Sequence, residues 1–242
     1  MTGARKALTL KQMKHYGKAR KAAYRLILIS LILVGLLLGL GFFAAIVGSF
    51  LVAITPVLIV VWVLFGVFTL YFFRDPEAQA PVGSRLVVAP AHGKVDVIDT
   101  VNEPRFMGGE CQRVSIFLSV FDVHVQNAPV SGRIAFYKYT TGQFLNALRT
   151  DSAQHNENVL LGFQCLDPAG AKMAVRLIAG LIARRIVPFV QEGDDVARGE
   201  RVSLIQFGSR ADVYLPANAK IKVKLNERVV GGVTVLAEFD AA

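Results

Sequence analysis

The chain has 242 residues, with 27 Lys and Arg against 18 Asp and Glu and a formal charge of +9. Apolar residues make up 53% of it and are unevenly placed: residues 26–73 contain no Asp, Glu, Lys or Arg, which excludes an ordinary soluble protein. The charge is uneven too. Arg5, Lys6, Lys11, Lys14, Lys18, Arg20, Lys21 and Arg25 all stand in residues 1–25, where there is no acid, and the remainder is close to neutral. The high pI therefore belongs to a basic tail, and a nucleic-acid-binding surface on the folded part loses its support.

In chain order, residues 1–25 read as a basic cytoplasmic tail suited to anionic lipid head groups. Residues 26–73 read as a transmembrane helical hairpin, because about 20 apolar residues cross a bilayer and one helix of this length would overshoot it. The expected spans are residues 26–47 and 50–73, with Gly48-Ser49 as the turn. The basic residues before the first span place both ends in the cytoplasm, and Tyr24 and Tyr71 suit its interface. Pro56 is expected to kink the second span. Neither span holds an ionisable residue, so the hairpin reads as an anchor and not a transport path.

Residues 74–242 are long enough for one domain with its own core. A period of two runs through residues 112–120, where Val114, Ile116, Leu118 and Val120 share a face. It recurs over residues 132–137, 159–163, 211–215 and 221–225. Turn signals separate these runs at Asn127-Ala128-Pro129, Asp167-Pro168-Ala169-Gly170, Glu192-Gly193-Asp194 and Pro216-Ala217-Asn218. The pattern predicts a mostly β (barrel/sandwich-like, α+β) cytoplasmic domain. Residues 175–187 fit either helix or strand and are read as strands.

Cys111 and Cys165 are the two cysteines, so a disulfide scaffold is excluded. His15, His92, His124 and His155 do not have the close spacing of a helical zinc site, and no metal is expected. There is no P-loop, no G-x-G-x-x-G after a strand and no G-x-S-x-G.

Four motifs carry more information. They are Phe72-Phe73-Arg74-Asp75-Pro76, then Val88-Ala89-Pro90-Ala91-His92-Gly93-Lys94-Val95, then Asp122-Val123-His124-Val125 with Ala128-Pro129, and last Phe207-Gly208-Ser209-Arg210-Ala211-Asp212-Val213-Tyr214-Leu215-Pro216. In this order the set resembles the short bacterial phosphatidylserine decarboxylases, over the hairpin and nearly all of residues 72–236. The last string is the most specific.

The resemblance implies a proenzyme that cuts itself between Gly208 and Ser209, leaving a β chain to residue 208 and an α chain of residues 209–242. It implies that the Ser209 hydroxyl attacks the Gly208 carbonyl and that Ser209 ends as a covalent, self-generated pyruvoyl group. This group forms a Schiff base with the serine head group of phosphatidylserine and acts as electron sink for loss of CO₂. Serine is required because its β-oxygen is both nucleophile and leaving group; glycine before it removes a Cβ from the path of attack. His124 is the implied base, with an imidazole that titrates near neutral pH. Asp122 lies on the same side of the chain as His124 if the segment is extended. The resemblance also implies a cell (inner) membrane location, the two cleavage chains as partners, and a homodimer.

The sequence departs from the family at two places. An aspartate is expected where His92 stands, so the group that orients or assists His124 is an imidazole, and maturation is expected to be slower than in Asp-bearing relatives. Asn156-Glu157-Asn158 replaces an expected N-E-R string. Among weaker candidates, Arg133 and Arg210 are read as contacts for the lipid phosphate, with Arg184 and Arg185 similar. Phe106-Met107-Gly108-Gly109 is a candidate membrane-dipping loop, and Lys220 and Lys222 are read as a solvated strand face. The alternatives are an uncleaved lipid-binding family member, a decarboxylase of another serine lipid, and a lipoyl-like membrane adaptor suggested by residues 190–199. The last lacks a lysine displayed on its turn.

Overall fold

The computed structural model describes residues 18–47, 49–143, 155–180, 185–205 and 209–240. The chain divides into two compact units, residues 1–67 and 68–242.

Helix α1 spans Lys18–Val47 and α2 spans Ser49–Phe72, which runs through Pro56. Within α2, Ala53–Phe72 is 20 residues long with a mean hydropathy of 2.5, long and apolar enough to cross a membrane. Ile27–Phe42 in α1 is a shorter apolar stretch. One helix thus meets the length criterion where the sequence suggested two spans, and Gly48 lies outside the described residues.

The second unit holds β1 (Leu86–Val88), β2 (Gly93–Glu103), β3 (Gly109–Leu118), β4 (Val125–Asn127), β5 (Gly132–Thr140), β6 (Asn158–Cys165) and β7 (Lys172–Ala179). After them come β8 (Ile186–Pro188), β9 (Asp195–Val196), β10 (Arg201–Ile205), β11 (Ser209–Leu215), β12 (Lys220–Ile221), β13 (Arg228–Val229) and β14 (Val235–Glu238). Eight of them form a curled half-barrel in the order β13-β2-β3-β11-β7-β6-β5-β9. Two three-stranded sheets, β1-β14-β12 and β4-β10-β8, complete the unit, and every named pair is antiparallel.

The period of two explains which face packs inward. Val114, Ile116 and Leu118 of β3, Ala211, Val213 and Leu215 of β11, Val175 and Leu177 of β7, and Val159 and Leu161 of β6 all enter one core cluster. Each fully buried aliphatic side chain of this size contributes about 1.5–3 kcal/mol. The opposite face carries a smaller cluster of Cys111, Leu160, Ala174 and Tyr214, against which Phe106 and Met107 pack. A Cβ on Gly162 would lie 2.6 Å from the Phe106 ring, so the missing side chain at Gly162 is what seats that ring on the sheet. The loop expected to dip into a membrane thus has its two large apolar side chains half-buried against the sheet.

Two strand expectations are corrected. Residues 221–225 shrink to β12, Lys220–Ile221, because the Glu227 carboxylate accepts a hydrogen bond from the Lys224 N–H at 2.8 Å and closes a turn. Lys220 and Lys222 are solvent-exposed as expected and pair with Asp240 and Glu238 at 3.0 and 2.9 Å, but Lys222 lies beyond β12. Val120 falls outside β3, in a turn over residues 119–122. Residues 175–187 do give strand at both ends, in β7 and β8; residues 181–184, with Arg184, lie outside the described residues.

Candidate active site

The site is built on the turn that follows β3. Asp122 does not lie on an extended strand with His124. Its N–H donates to the Ser119 carbonyl at 3.0 Å, and its carboxylate accepts from the Ser119 N–H and hydroxyl, both at 2.8 Å. Arg228 donates to the other carboxylate oxygen at 2.9 Å. Burial opposes ionisation of Asp122, but the Ser119 donors and Arg228 outweigh it and hold its carboxyl below the usual range.

The backbone carbonyl of Asp122, not the carboxylate, meets His124, with Nδ1 at 2.8 Å. A carbonyl only accepts, so Nδ1 carries the proton and Nε2 the lone pair. His124 is 1% exposed. Burial pulls its imidazole down to about 4; Asp122 opposes this and Arg74 reinforces it. The ring is therefore neutral at pH 7 and has the protonation state of a general base.

The Phe72-Phe73-Arg74-Asp75-Pro76 motif holds this histidine in place. The fully buried Phe72 ring lies 4.2 Å from the His124 ring, centroid to centroid, at 33°. Arg74 Nη2 and the Tyr71 hydroxyl donate to the Phe121 carbonyl at 2.7 and 3.3 Å, and the Arg74 guanidinium lies 3.9 Å from the centre of the Tyr71 ring. Asp75 accepts from Arg201 Nε at 2.6 Å, which ties the motif to β10. These positioning roles of Phe72, Arg74 and Asp75 were not assigned from sequence, although the motif that contains them is legible there.

From His124 the chain enters β4, which pairs with β10, Val125 opposite Leu204. The Ile205 N–H donates to the His124 carbonyl at 3.1 Å. Residues 206–208, with Gly208, lie outside the described residues, and Ser209 then opens β11 between Leu118 of β3 and Ala179 of β7. Four Cα steps separate Ile205 from Ser209, so the two lie at most about 14 Å apart. Ser209 is fully buried, and its hydroxyl has no hydrogen-bond partner among the described residues. An orphaned buried hydroxyl at a strand end calls for an explanation beyond packing, and it fits a residue that becomes a covalent group there.

His92 is half-buried. Burial holds its imidazole below the ordinary value, Asp122 opposes this and Arg74 assists it. His92 and His124 thus feel the same two charges. A Cβ on Gly231 would come within 3.0 Å of His92 Cδ2 and of the Asn127 side-chain oxygen, so a glycine at 231 makes room for the imidazole.

Other candidates are placed elsewhere. Arg133 is exposed and donates to the Gly193 carbonyl at 3.1 Å. Arg210 is 3% exposed and engaged by Asp96 and Asp212. Asn156 donates to the Ala179 carbonyl at 2.7 Å and Asn158 to the Asn156 carbonyl at 2.8 Å, so this string braces the strand beside Ser209. Both thiols are buried, and burial pushes Cys165 up to about 12, which disfavours the nucleophilic thiolate. Among the described residues, no group of three His, Cys, Asp or Glu is placed to hold a metal ion.

A buried serine at the start of a central strand and a buried, neutral histidine just before β4 mark a candidate enzyme site in a β domain. The family model "Phosphatidylserine decarboxylase" matches residues 65–237. The chain is 40% identical over 183 residues to a phosphatidylserine decarboxylase proenzyme of Desulfotalea psychrophila, covering 76% of this chain and 85% of that one. It is 42% identical over 199 residues to the proenzyme of the same name from Symbiobacterium thermophilum, covering 80% and 92%. With that of Azorhizobium caulinodans identity is 46% over 180 residues, covering 73% and 76%. The chain belongs to the phosphatidylserine decarboxylase family and is a decarboxylase.

Proposed function

We propose that the protein converts phosphatidylserine to phosphatidylethanolamine and CO₂ after cutting itself between Gly208 and Ser209. The observation that carries this reading is the buried Ser209 hydroxyl at the first position of β11, without a hydrogen-bond partner among the described residues, four residues after an Ile205 bonded to His124.

In this reading His124 Nε2 accepts the Ser209 hydroxyl proton while Nδ1–H stays on the Asp122 carbonyl. The Ser209 oxygen bonds to the Gly208 carbonyl carbon, the Gly208–Ser209 C–N bond breaks, and the nitrogen leaves protonated as the amine of the new ester. Loss of the Ser209 α-proton then breaks the Cβ–O bond, and residue 208 departs as a carboxylate. Hydrolysis of the remaining enamine releases ammonia and leaves the ketone at position 209. That pyruvoyl group supplies an electron sink for the α-carbon of a serine amine that loses CO₂. His124 is held neutral by burial, which keeps it competent as base across the physiological range.

The chain is read as anchored in the cell (inner) membrane by two apolar helices, with the catalytic domain on the cytoplasmic side. The apolar character of Ala53–Phe72 and Ile27–Phe42 and the basic tail support this. Arg133 and, in the matured chain, Arg210 stay candidates for the lipid phosphate, and a homodimer stays the expected assembly.

Intact mass spectrometry of the detergent-purified protein tests the reading. Two fragments split between residues 208 and 209, the smaller blocked by a pyruvoyl group, are the expected result. A full-length chain that persists on incubation rejects it.

A further inference from the structure

The outward face of β11 carries charges that the chemistry above does not use. Ser209, Ala211, Val213 and Leu215 share one face of the strand; Arg210, Asp212 and Tyr214 share the other. Asp212 is 0% exposed. Arg210 Nε and Arg113 Nη1 approach its carboxylate at 3.8 and 3.9 Å, and Arg176 and Ser115 lie opposite it in register. Among the described residues, both Asp212 oxygens, Arg210 Nε, Arg176 Nε and the Ser115 hydroxyl nonetheless lack a partner at ordinary hydrogen-bond geometry. Buried ion pairs are a poor source of stability, since well-packed apolar residues of similar volume are often neutral or better. A role for this cluster is therefore to be sought in specificity of position.

A second feature points at the same residue. The β2–β3 register shifts between Val95, opposite Ile116, and Val97, opposite Ser115, which leaves Asp96 as the extra residue of a β-bulge. Bulges re-aim side chains, and here the Asp96 carboxylate reaches across β3 to pair with Arg210 Nη2 on β11. The bulge lies four residues after His92. Residues 92–96 thus stand near the surroundings of His124 at one end and grip the residue that follows Ser209 at the other.

We infer that Asp96 and Arg210 are a positioning pair for self-cleavage. This inference rests on the reading that the chain cuts itself before Ser209. Ser209 is the end residue of a central strand, and strand ends fray; the ion pair one residue further in holds the ladder closed so that the reacting oxygen keeps its place. Misplacement of a reacting atom by about 1 Å costs on the order of a hundredfold in rate.

The test is a cleavage time course of the full chain in detergent, followed by intact mass, for wild type, Asp96→Asn, Arg210→Lys and Asp99→Asn. Asp99 pairs with Arg113 on the same face of the sheet and serves as the control. Asp96→Asn is expected to cleave about tenfold to a hundredfold more slowly, and Arg210→Lys, which keeps the charge without the planar fork, to fall between it and wild type. Asp99→Asn is expected to match wild type. Breaking a buried pair also lowers stability, so Leu177→Ala, a core variant on the opposite face of the sheet from the pair, is the reference: a positioning role slows cleavage in Asp96→Asn far more than in Leu177→Ala at a comparable loss of unfolding temperature, whereas a merely structural role slows both alike. Added hydroxylamine, which splits an accumulated ester, is expected not to restore the rate, because the slowed step is ester formation. Asp96→Asn and Arg210→Lys cleaving at the wild-type rate overturn the pair. If Asp96→Asn does not fold, Asp96→Glu decides it: the longer arm shifts the carboxylate and must slow cleavage, and an unchanged rate overturns the pair. A wild-type chain that never cleaves rejects the self-cleavage reading instead, and this inference with it.

Discussion

The two faces of β11 are equally buried and chemically opposite. Inward, Ala211, Val213 and Leu215 join the apolar core, with Ser209 on the same face. Outward, Arg210 and Asp212 sit in a buried cluster whose polar atoms are incompletely bonded among the described residues. Apolar contact is non-directional, so the inner face holds the strand in the sheet without fixing it finely. Ion pairs in a low dielectric are directional and intolerant of displacement. A strand that needs only stability has use for the first kind of face; a strand whose first residue is a reagent has use for the second.

The largest expected effect belongs to the reagent on the inner face. Ser209→Ala is expected to retain the fold, because the hydroxyl lost has no hydrogen-bond partner among the described residues, and to yield no cleaved chain on a gel at any time. Any cleavage between residues 208 and 209 in this variant means that Ser209 is not the nucleophile. His124→Gln is expected to slow cleavage by about 10² to 10⁴-fold, the usual contribution of a positioned base, while the wild-type rate stays level from pH 8 to about 5 and falls as His124 protonates near 4.

The same histidine gives the β domain a pH-dependent stability. Its folded value lies below the unfolded one of about 6.5, so the unfolded chain binds the extra proton. Its contribution is complete above about pH 6.5 and is lost as pH falls toward 4, on the order of 3 kcal/mol in all. His92, also lowered by burial, adds to the same slope. Chemical denaturation of uncleaved Ser209→Ala at pH 7 and pH 5, with and without His124→Gln, measures it; equal slopes in the two proteins contradict the assignment.

Leu177→Ala separates core from chemistry. It is fully buried in the main cluster, and its loss is expected to cost about 2–5 kcal/mol of stability while cleavage at 20 °C proceeds. His92→Asp is expected to speed cleavage by up to about tenfold, equivalent to roughly 1.4 kcal/mol of barrier. An unchanged or slower time course refutes the idea that the imidazole slows maturation. The smallest effect belongs to Arg228→Ala. Arg228 reaches Asp122 from solvent and is 71% exposed, so its removal is expected to change stability by under about 1 kcal/mol, read as a small shift in denaturation midpoint.

Much of this frame was legible in the sequence. Val114, Ile116 and Leu118 announced β3, and residues 211–215 announced β11, because a half-buried strand leaves a period of two. The family resemblance led to Ser209 and His124 through strings that local chemistry alone does not explain. Residues 221–225 show the same period, yet most of them turn: Glu227 closes on Lys224, a choice that alternation does not encode. Asp122 failed as an extended neighbour of His124 for a similar reason, since Ser119 and Arg228 capture its carboxylate and fold the segment.

By itself the sequence determined that a long uncharged apolar stretch precedes a β-rich domain, because burial and bilayer chemistry act on composition and period. It also determined which serine and which histidine to watch. The tertiary structure decided which atoms meet. The carbonyl of Asp122 sets the tautomer of His124, Phe72 covers its ring, and Asp96 reaches Arg210 from another strand. The first contact spans two residues of a folded turn; the other two join residues more than fifty positions apart, and the last depends on one extra residue in a ladder, so only the packed domain brings them together.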